Sequence, residues 1–250
     1  MAVAVVAGIA WMLTRDHGPQ PLVAPRFADA RALVTNELAH THPDTPGVHV
    51  SPDWVVTSGS LFADHGTGWT GPLDGRTPDV DSRQSTNSAV LRAVTRRADL
   101  GDVVVSMDLD VAGLQVPSET EEHDYDGVHV MLRYTSPQSL YYVSVCRRDG
   151  TAVIKKKDLS TPSDDEGTYV ELASAPFSCP TRTWTSIRVE VRTTAAGVQL
   201  TFSSAGRRVV SALDDGRDGT PPLRQPGRVG IRGDNAEFHF RDFTVDDADR

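Results

Sequence analysis

From about residue 40 onward, apolar and polar positions alternate with a period of two. Between 103 and 111, Val103, Val105, Met107, Leu109 and Val111 fall on one side, and Val104, Ser106, Asp108 and Asp110 on the other. Successive side chains of a strand point to opposite faces, so this pattern predicts a strand with one face on a core. Ile187, Val189 and Val191 alternate in the same way with Arg188, Glu190 and Arg192, and Val198, Leu200 and Phe202 with Gln199 and Thr201. The run TTAAG between them carries the glycine that a tight hairpin needs. Further strands are predicted at 54–57, 60–63, 89–95, 128–134, 140–146, 152–156, 168–173, 208–212, 228–232 and 237–245. SPQS, RRDGT, SSAGRR, DDGRDGTPP and RGDNA separate them as turns. Many short strands at this spacing predict an all-β sandwich. The one helical candidate is Phe27–Leu38, whose apolar positions are poorly spaced. Two polar insertions, 71–87 and 116–126, are expected to be long loops at an end of the sandwich, where function concentrates.

The amino terminus breaks this pattern. Residues 2–13, AVAVVAGIAWML, are uncharged and apolar, shorter than the roughly 20 residues a membrane-spanning helix wants. They match the apolar region of a signal peptide or part of a signal anchor. The expected organisation is a leader or anchor over 1–14, a linker over 15–30 and one domain over 31–247. Such a chain is secreted or membrane-anchored, and touches the membrane only through its first segment.

Composition narrows the partners. The 250 residues carry 34 acidic and 25 basic groups, a net charge of −9, which argues against nucleic acid because phosphate binding needs a basic face. Lysine occurs only at 155, 156 and 157. Cys146 and Cys179, 33 positions apart, either form one disulfide in an oxidising compartment or stay two buried thiols.

Several phrases together resemble a known family: LVTNELA at 33–39, DWVVTSGSLFADHGTGWTG at 53–71, DGVHVMLRY at 126–134, LYYVSVCRRDGTAVIKKK at 140–157, WTSIRVEV at 184–191 and GRVGIRGDNAEFHFRDFTV at 227–245. Their order is similar to that of bacterial concanavalin A-like lectin/glucanase domains, including family-16-like glycoside hydrolase and 3-keto-disaccharide hydrolase-like domains. The resemblance implies a jelly-roll sandwich of two curved antiparallel sheets, and a fold that hosts lectins and hydrolases alike. It also implies a structural calcium ion held by one acid from each end of the domain, at the matching positions Glu37 and Asp242.

The residues offer two chemistries. A retaining glycosidase needs two carboxyl groups about 5–5.5 Å apart, which alternate residues on a strand supply. Asp108 and Asp110 are the nearest match, but Ala112 and Gly113 stand where the E-x-D-x-x-E motif of family-16 glucanases wants a further acid. A solvated strand face is the plainer reading of the pair, which serves as the acid and base of the rival enzyme reading only. For binding, His129, Met131 and Arg133 share a face, Tyr142 and Ser144 share one on the next strand, and the third adds Lys155 or Lys156. His129, Arg133, Tyr142 and Lys156 are therefore expected to line one groove, with Trp69, flanked by glycines in GTGWTG, as a stacking platform. Such a set suits a carbohydrate, including an acidic polysaccharide. Against it stands an ordinary polar face with cross-strand pairs. The acidic run at 119–126 is expected to be a solvated loop, and RGD at 232–234 a turn. The reading is an extracytoplasmic carbohydrate-binding domain. A sugar-cleaving enzyme and a non-catalytic surface adhesion or scaffold domain are its rivals.

Overall fold

The computed structural model describes residues 20–71, 90–114, 121–158, 168–217 and 219–249. The apolar leader, nearly all of the first long insertion and the first part of the second lie outside them. The described residues form two antiparallel sheets. One has eight strands in the order β1 (Ala32–Asn36), β3 (Ser60–Asp64), β4 (Thr67–Trp69), β15 (Ala236–Asp247), β6 (Val103–Leu114), β11 (Thr185–Thr194), β12 (Gly197–Ser204) and β13 (Arg207–Asp214). The other has seven, in the order β10 (Thr168–Pro176), β9 (Thr151–Asp158), β8 (Ser139–Arg147), β7 (Gly127–Ser136), β14 (Arg228–Asp234), β5 (Val90–Thr95) and β2 (Trp54–Ser58).

The period-two pattern explains how they stack. Val105 pairs with Val189 on one side and Val245 on the other, so three apolar side chains form one row across the eight-stranded sheet. Val130, Val143 and Ile154 form a similar row across the other. All six are buried in one core. Each fully buried aliphatic side chain contributes about 1.5–3 kcal/mol, which is why one slip of register is not tolerated. The hairpin between β11 and β12 turns at Gly197, where a Cβ would sit 2.1 Å from the Asp214 carbonyl oxygen. No other residue fits that approach.

Three expectations are corrected. The stretch read as a linker is docked from Leu22 onward: the Leu22 amide donates to the Val245 carbonyl at 2.7 Å, and Phe27 meets Phe240 edge-on at 5.2 Å. Its apolar side chains find a place on the sandwich. Phe27–Leu38 is not a helix. Ala32–Asn36 pairs with β3, and helix begins only after Asn36, in the short α1 (Glu37–Thr41). Poor apolar spacing gives a long helix no face to bury, whereas Val34 and Thr35 favour a strand. The RGD tripeptide lies in β14 rather than in a turn.

Cys146, at the end of β8, is joined to Cys179, beyond β10, with Cα atoms 5.1 Å apart. The bond closes a loop that includes β9 and β10. Replacing both cysteines by Ala is expected to lower stability by about 2–4 kcal/mol. Urea denaturation of the two proteins checks this, and an unchanged midpoint would contradict it. No helix among the described residues is long and apolar enough to cross a membrane.

Candidate functional site

The outer face of the seven-stranded sheet carries a depression of about 300 Å³ lined by Tyr125, Tyr142, Arg147, Lys155, Tyr169 and Arg232. Strand register assembles it. Tyr142 of β8 lies opposite Lys155 of β9, and Lys155 opposite Glu171 of β10. Arg232 of β14 lies opposite His129 of β7, one row along. Tyr125 enters from the loop before β7, and Tyr169 from the edge strand β10; both residues are 42% exposed. Tyr142 is buried instead and forms the floor.

A polar network fixes that floor. Both Nε and Nη2 of Arg232 donate to Asp234 Oδ1, at 3.0 and 2.8 Å, and Tyr142 donates its hydroxyl to Asp234 Oδ2 at 3.3 Å. The His129 ring stacks on Tyr142 at 4.5 Å; its Nδ1 is 2.9 Å from Ser144 Oγ and its Nε2 3.4 Å from Asp234 Oδ2. Burial opposes charge on Asp234, but the Arg232 guanidinium and the His129 ring together outweigh it and hold the carboxyl well below the usual range. Burial pushes His129 below the ordinary imidazole value against the pull of Asp234. It pushes the Tyr142 hydroxyl up. Burial, and then the neighbouring Arg147 charge, push Lys155 down.

The expected binding set divides between the two sides of this sheet. His129 and Tyr142 face outward, at or under the depression. Arg133 and Lys156 face inward. A register shift between Leu132 and Ser136 puts Arg133 at a bulge with φ 48°, which reverses the alternation. Its Nη2 donates to Asp102 Oδ1 at 2.6 Å and to Thr193 Oγ1 at 2.7 Å, and its Nη1 to the Leu223 carbonyl at 2.6 Å. Lys156 lies opposite the core residue Tyr141, and its ammonium donates to Asp214 Oδ1 of the other sheet at 3.0 Å. Of the two lysines weighed for the groove, Lys155 is the one at the depression. Tyr125, Arg147, Tyr169 and Arg232 were missed.

Trp69 lies on the opposite surface, the outer face of the eight-stranded sheet. It belongs to β4 rather than to a loop, and is not open. Its ring stacks on His239 at 5.4 Å, its Nε1 donates to Glu237 at 3.3 Å, and the Arg31 guanidinium covers it at 4.3 Å. Asp108 and Asp110 share that face. Asp108 accepts two hydrogen bonds from Arg241, at 3.3 and 3.4 Å, and Asp110 lies opposite His239. Asp110 Oδ1 is buried and makes no hydrogen bond with any described residue.

The two acids expected to hold calcium have different surroundings. Glu37 Oε2 accepts from the Gly59 amide at 3.1 Å, and Asp242 stands 82% exposed beside Arg241. No group of three or more potential ligands among the described residues is placed to hold a metal ion.

No protein-family model and no curated protein matches the chain. Solved structures do. The carbohydrate recognition domain of Emp46p in its potassium-bound form aligns with a TM-score of 0.51 at 11% identity, over 78% of this chain and 88% of that one. The fold is that of the concanavalin A-like lectins. A carbohydrate-binding module, CBM66 of Bacillus subtilis, aligns at 13% identity and a TM-score of 0.49, over 77% of this chain and 94% of that one. At such identities the lectin fold is what the likeness establishes. The chemistry has to come from the residues of this chain.

Proposed function

We propose that this protein is an extracytoplasmic, lectin-like carbohydrate-binding domain whose ligand sits in the depression on the seven-stranded sheet. One observation carries the reading: three tyrosine rings and three cationic hydrogen-bond donors converge on one open cavity. Aromatic faces pack on the C–H patches of sugar rings, and guanidinium and ammonium groups bond hydroxyls. The volume is at the lower end of ligand pockets, about 300–1,000 Å³. The disulfide supports export, because such bonds persist in oxidising compartments. Cell fractionation tests that part, and a cytosolic location would contradict it.

Tyr169→Ala is expected to weaken glycan binding about tenfold, equivalent to about 1.4 kcal/mol. Stability should change by only about 0.5 kcal/mol, because Tyr169 is half-exposed on an edge strand. Titration calorimetry on the best glycan from an array measures the first and urea denaturation the second. Unchanged affinity would remove Tyr169 from the site.

A second reading, a sugar-cleaving enzyme on the eight-stranded sheet, rests on the unpartnered Asp110 Oδ1 opposite His239. It requires release of reducing sugar that Asp110→Asn abolishes. An adhesion or scaffold domain would show neither binding nor turnover.

A further inference from the structure

The charges around the depression are not evenly matched. Arg232 is tied to Asp234 beneath it, and Arg147 Nε donates to Asp149 Oδ1 at 3.1 Å. Asp234 lies beneath its cation, 6% exposed against 20%, while Asp149 flanks Arg147 and is the more open of that pair, 26% against 10%. Lys155 differs: it makes no ion pair among the described residues, and Glu171, opposite it in register, is not within ion-pair reach. The ammonium lies 6.0 Å from the Tyr169 ring, and Lys157 lies 4.7 Å from the same ring. The chain has three lysines in 250 residues, and two of them meet at this tyrosine. The net charge of −9 does not decide the local potential, because charges beyond about 8 Å are screened at physiological salt.

We propose that the depression takes an acidic sugar, a ring bearing a carboxylate or a sulfate ester, with the anion at Lys155 beside Arg147 and Arg232 and the sugar ring against the tyrosines. This rests on the carbohydrate-binding reading above and names the class of its ligand. Lys155 is a partly buried cation with no carboxylate in ion-pair contact among the described residues; Glu171 and Asp149 favour its charge from a distance, and burial together with the Arg147 charge outweighs them. An anionic group there supplies a contact charge that the described acids do not. A neutral sugar can stack on the tyrosines but leaves that charge unmatched.

The test uses an array of neutral, uronate-bearing and sulfated glycans, followed by titration calorimetry. Carboxyl-reduced and desulfated matches of each acidic hit separate the two sources of the anion. Expected are hits confined to acidic glycans, at least tenfold weaker binding once the anion is removed, and affinity that falls with salt. Lys155→Gln should reproduce that loss on the acidic glycan, and Arg147→Gln a smaller one, each with an unchanged unfolding midpoint. Neutral glycans binding as tightly as acidic ones, or Lys155→Gln leaving acidic binding intact, would overturn the anion assignment and leave the carbohydrate reading standing. Absence of binding to every glycan would overturn both.

Discussion

Asp214→Ala is expected to lower folding stability by about 3–5 kcal/mol. Asp214 Oδ1 accepts from the Lys156 ammonium at 3.0 Å and from the Gly216 amide at 3.2 Å, and its Oδ2 from the Tyr141 hydroxyl at 2.5 Å. The Tyr141 oxygen in turn accepts from the Leu223 amide at 2.9 Å. Both charged side chains are fully buried, and the pair joins β9 of one sheet to β13 of the other. Without the carboxylate, the ammonium loses this ion pair, while the carbonyls of Thr220 and Pro221 stay beside it at 2.9 and 3.5 Å. Removing one member of a fully buried ion pair is what makes such a deletion severe. Replacing both members together, Lys156→Met with Asp214→Leu, should recover most of the loss, because removing a buried pair as a unit is often close to neutral. Urea denaturation of the three proteins decides it. A loss under about 1 kcal/mol for Asp214→Ala would contradict the account.

Asp234→Ala should be comparably severe, about 3–5 kcal/mol, and should also abolish glycan binding. It removes the acceptor shared by Arg232 and Tyr142 and the charge facing His129. The floor of the depression then loses the contacts that orient it. Acid exposes the same network. His129 binds a proton less readily folded than unfolded, so the unfolded state takes up a proton first as pH falls. Its contribution is complete above the unfolded value of about 6.5 and is lost progressively below it. Asp234 has its carboxyl held low, so its contribution is present above the unfolded carboxylate value of about 3.9 and lost as pH falls further. Stability should therefore decline between pH 7 and 5, and His129→Gln should flatten that decline. An equal slope in both proteins would show that His129 is not its source.

Much of the fold was legible because burial enforces alternation. Val105, Val130, Val189 and Ile154 lie in the core as the period-two pattern predicts. Parity failed where a distant contact overrides a local rule. Nothing near Arg133 announces a bulge. Its positive φ is upheld by Asp102 just before β6, by Thr193 of β11 and by Leu223, partners no window around it contains. The choice between Lys155 and Lys156 depends on the register of β8 against β9, which three consecutive lysines leave open. Tyr125 was hidden in an acidic run read as solvated loop, and Arg232 in a tripeptide read as a turn. Tyr169 and Glu171 do alternate with Val170 and Leu172, so the strand pattern alone could have placed Tyr169 on the outer face. The ends of the domain were harder. Leu22 and Phe27 look like part of a linker until Val245 and Phe240, more than 200 positions away, are brought to them.

The central claim is that a sugar binds the outer face of the seven-stranded sheet. Amide chemical-shift mapping, with the tightest glycan from the array titrated into the labelled protein, tests it most directly. The account predicts that the largest changes cluster at Tyr125, Tyr142, Lys155, Tyr169 and Arg232. Changes centred instead on Trp69, Asp110 and His239, across the sandwich, would contradict it.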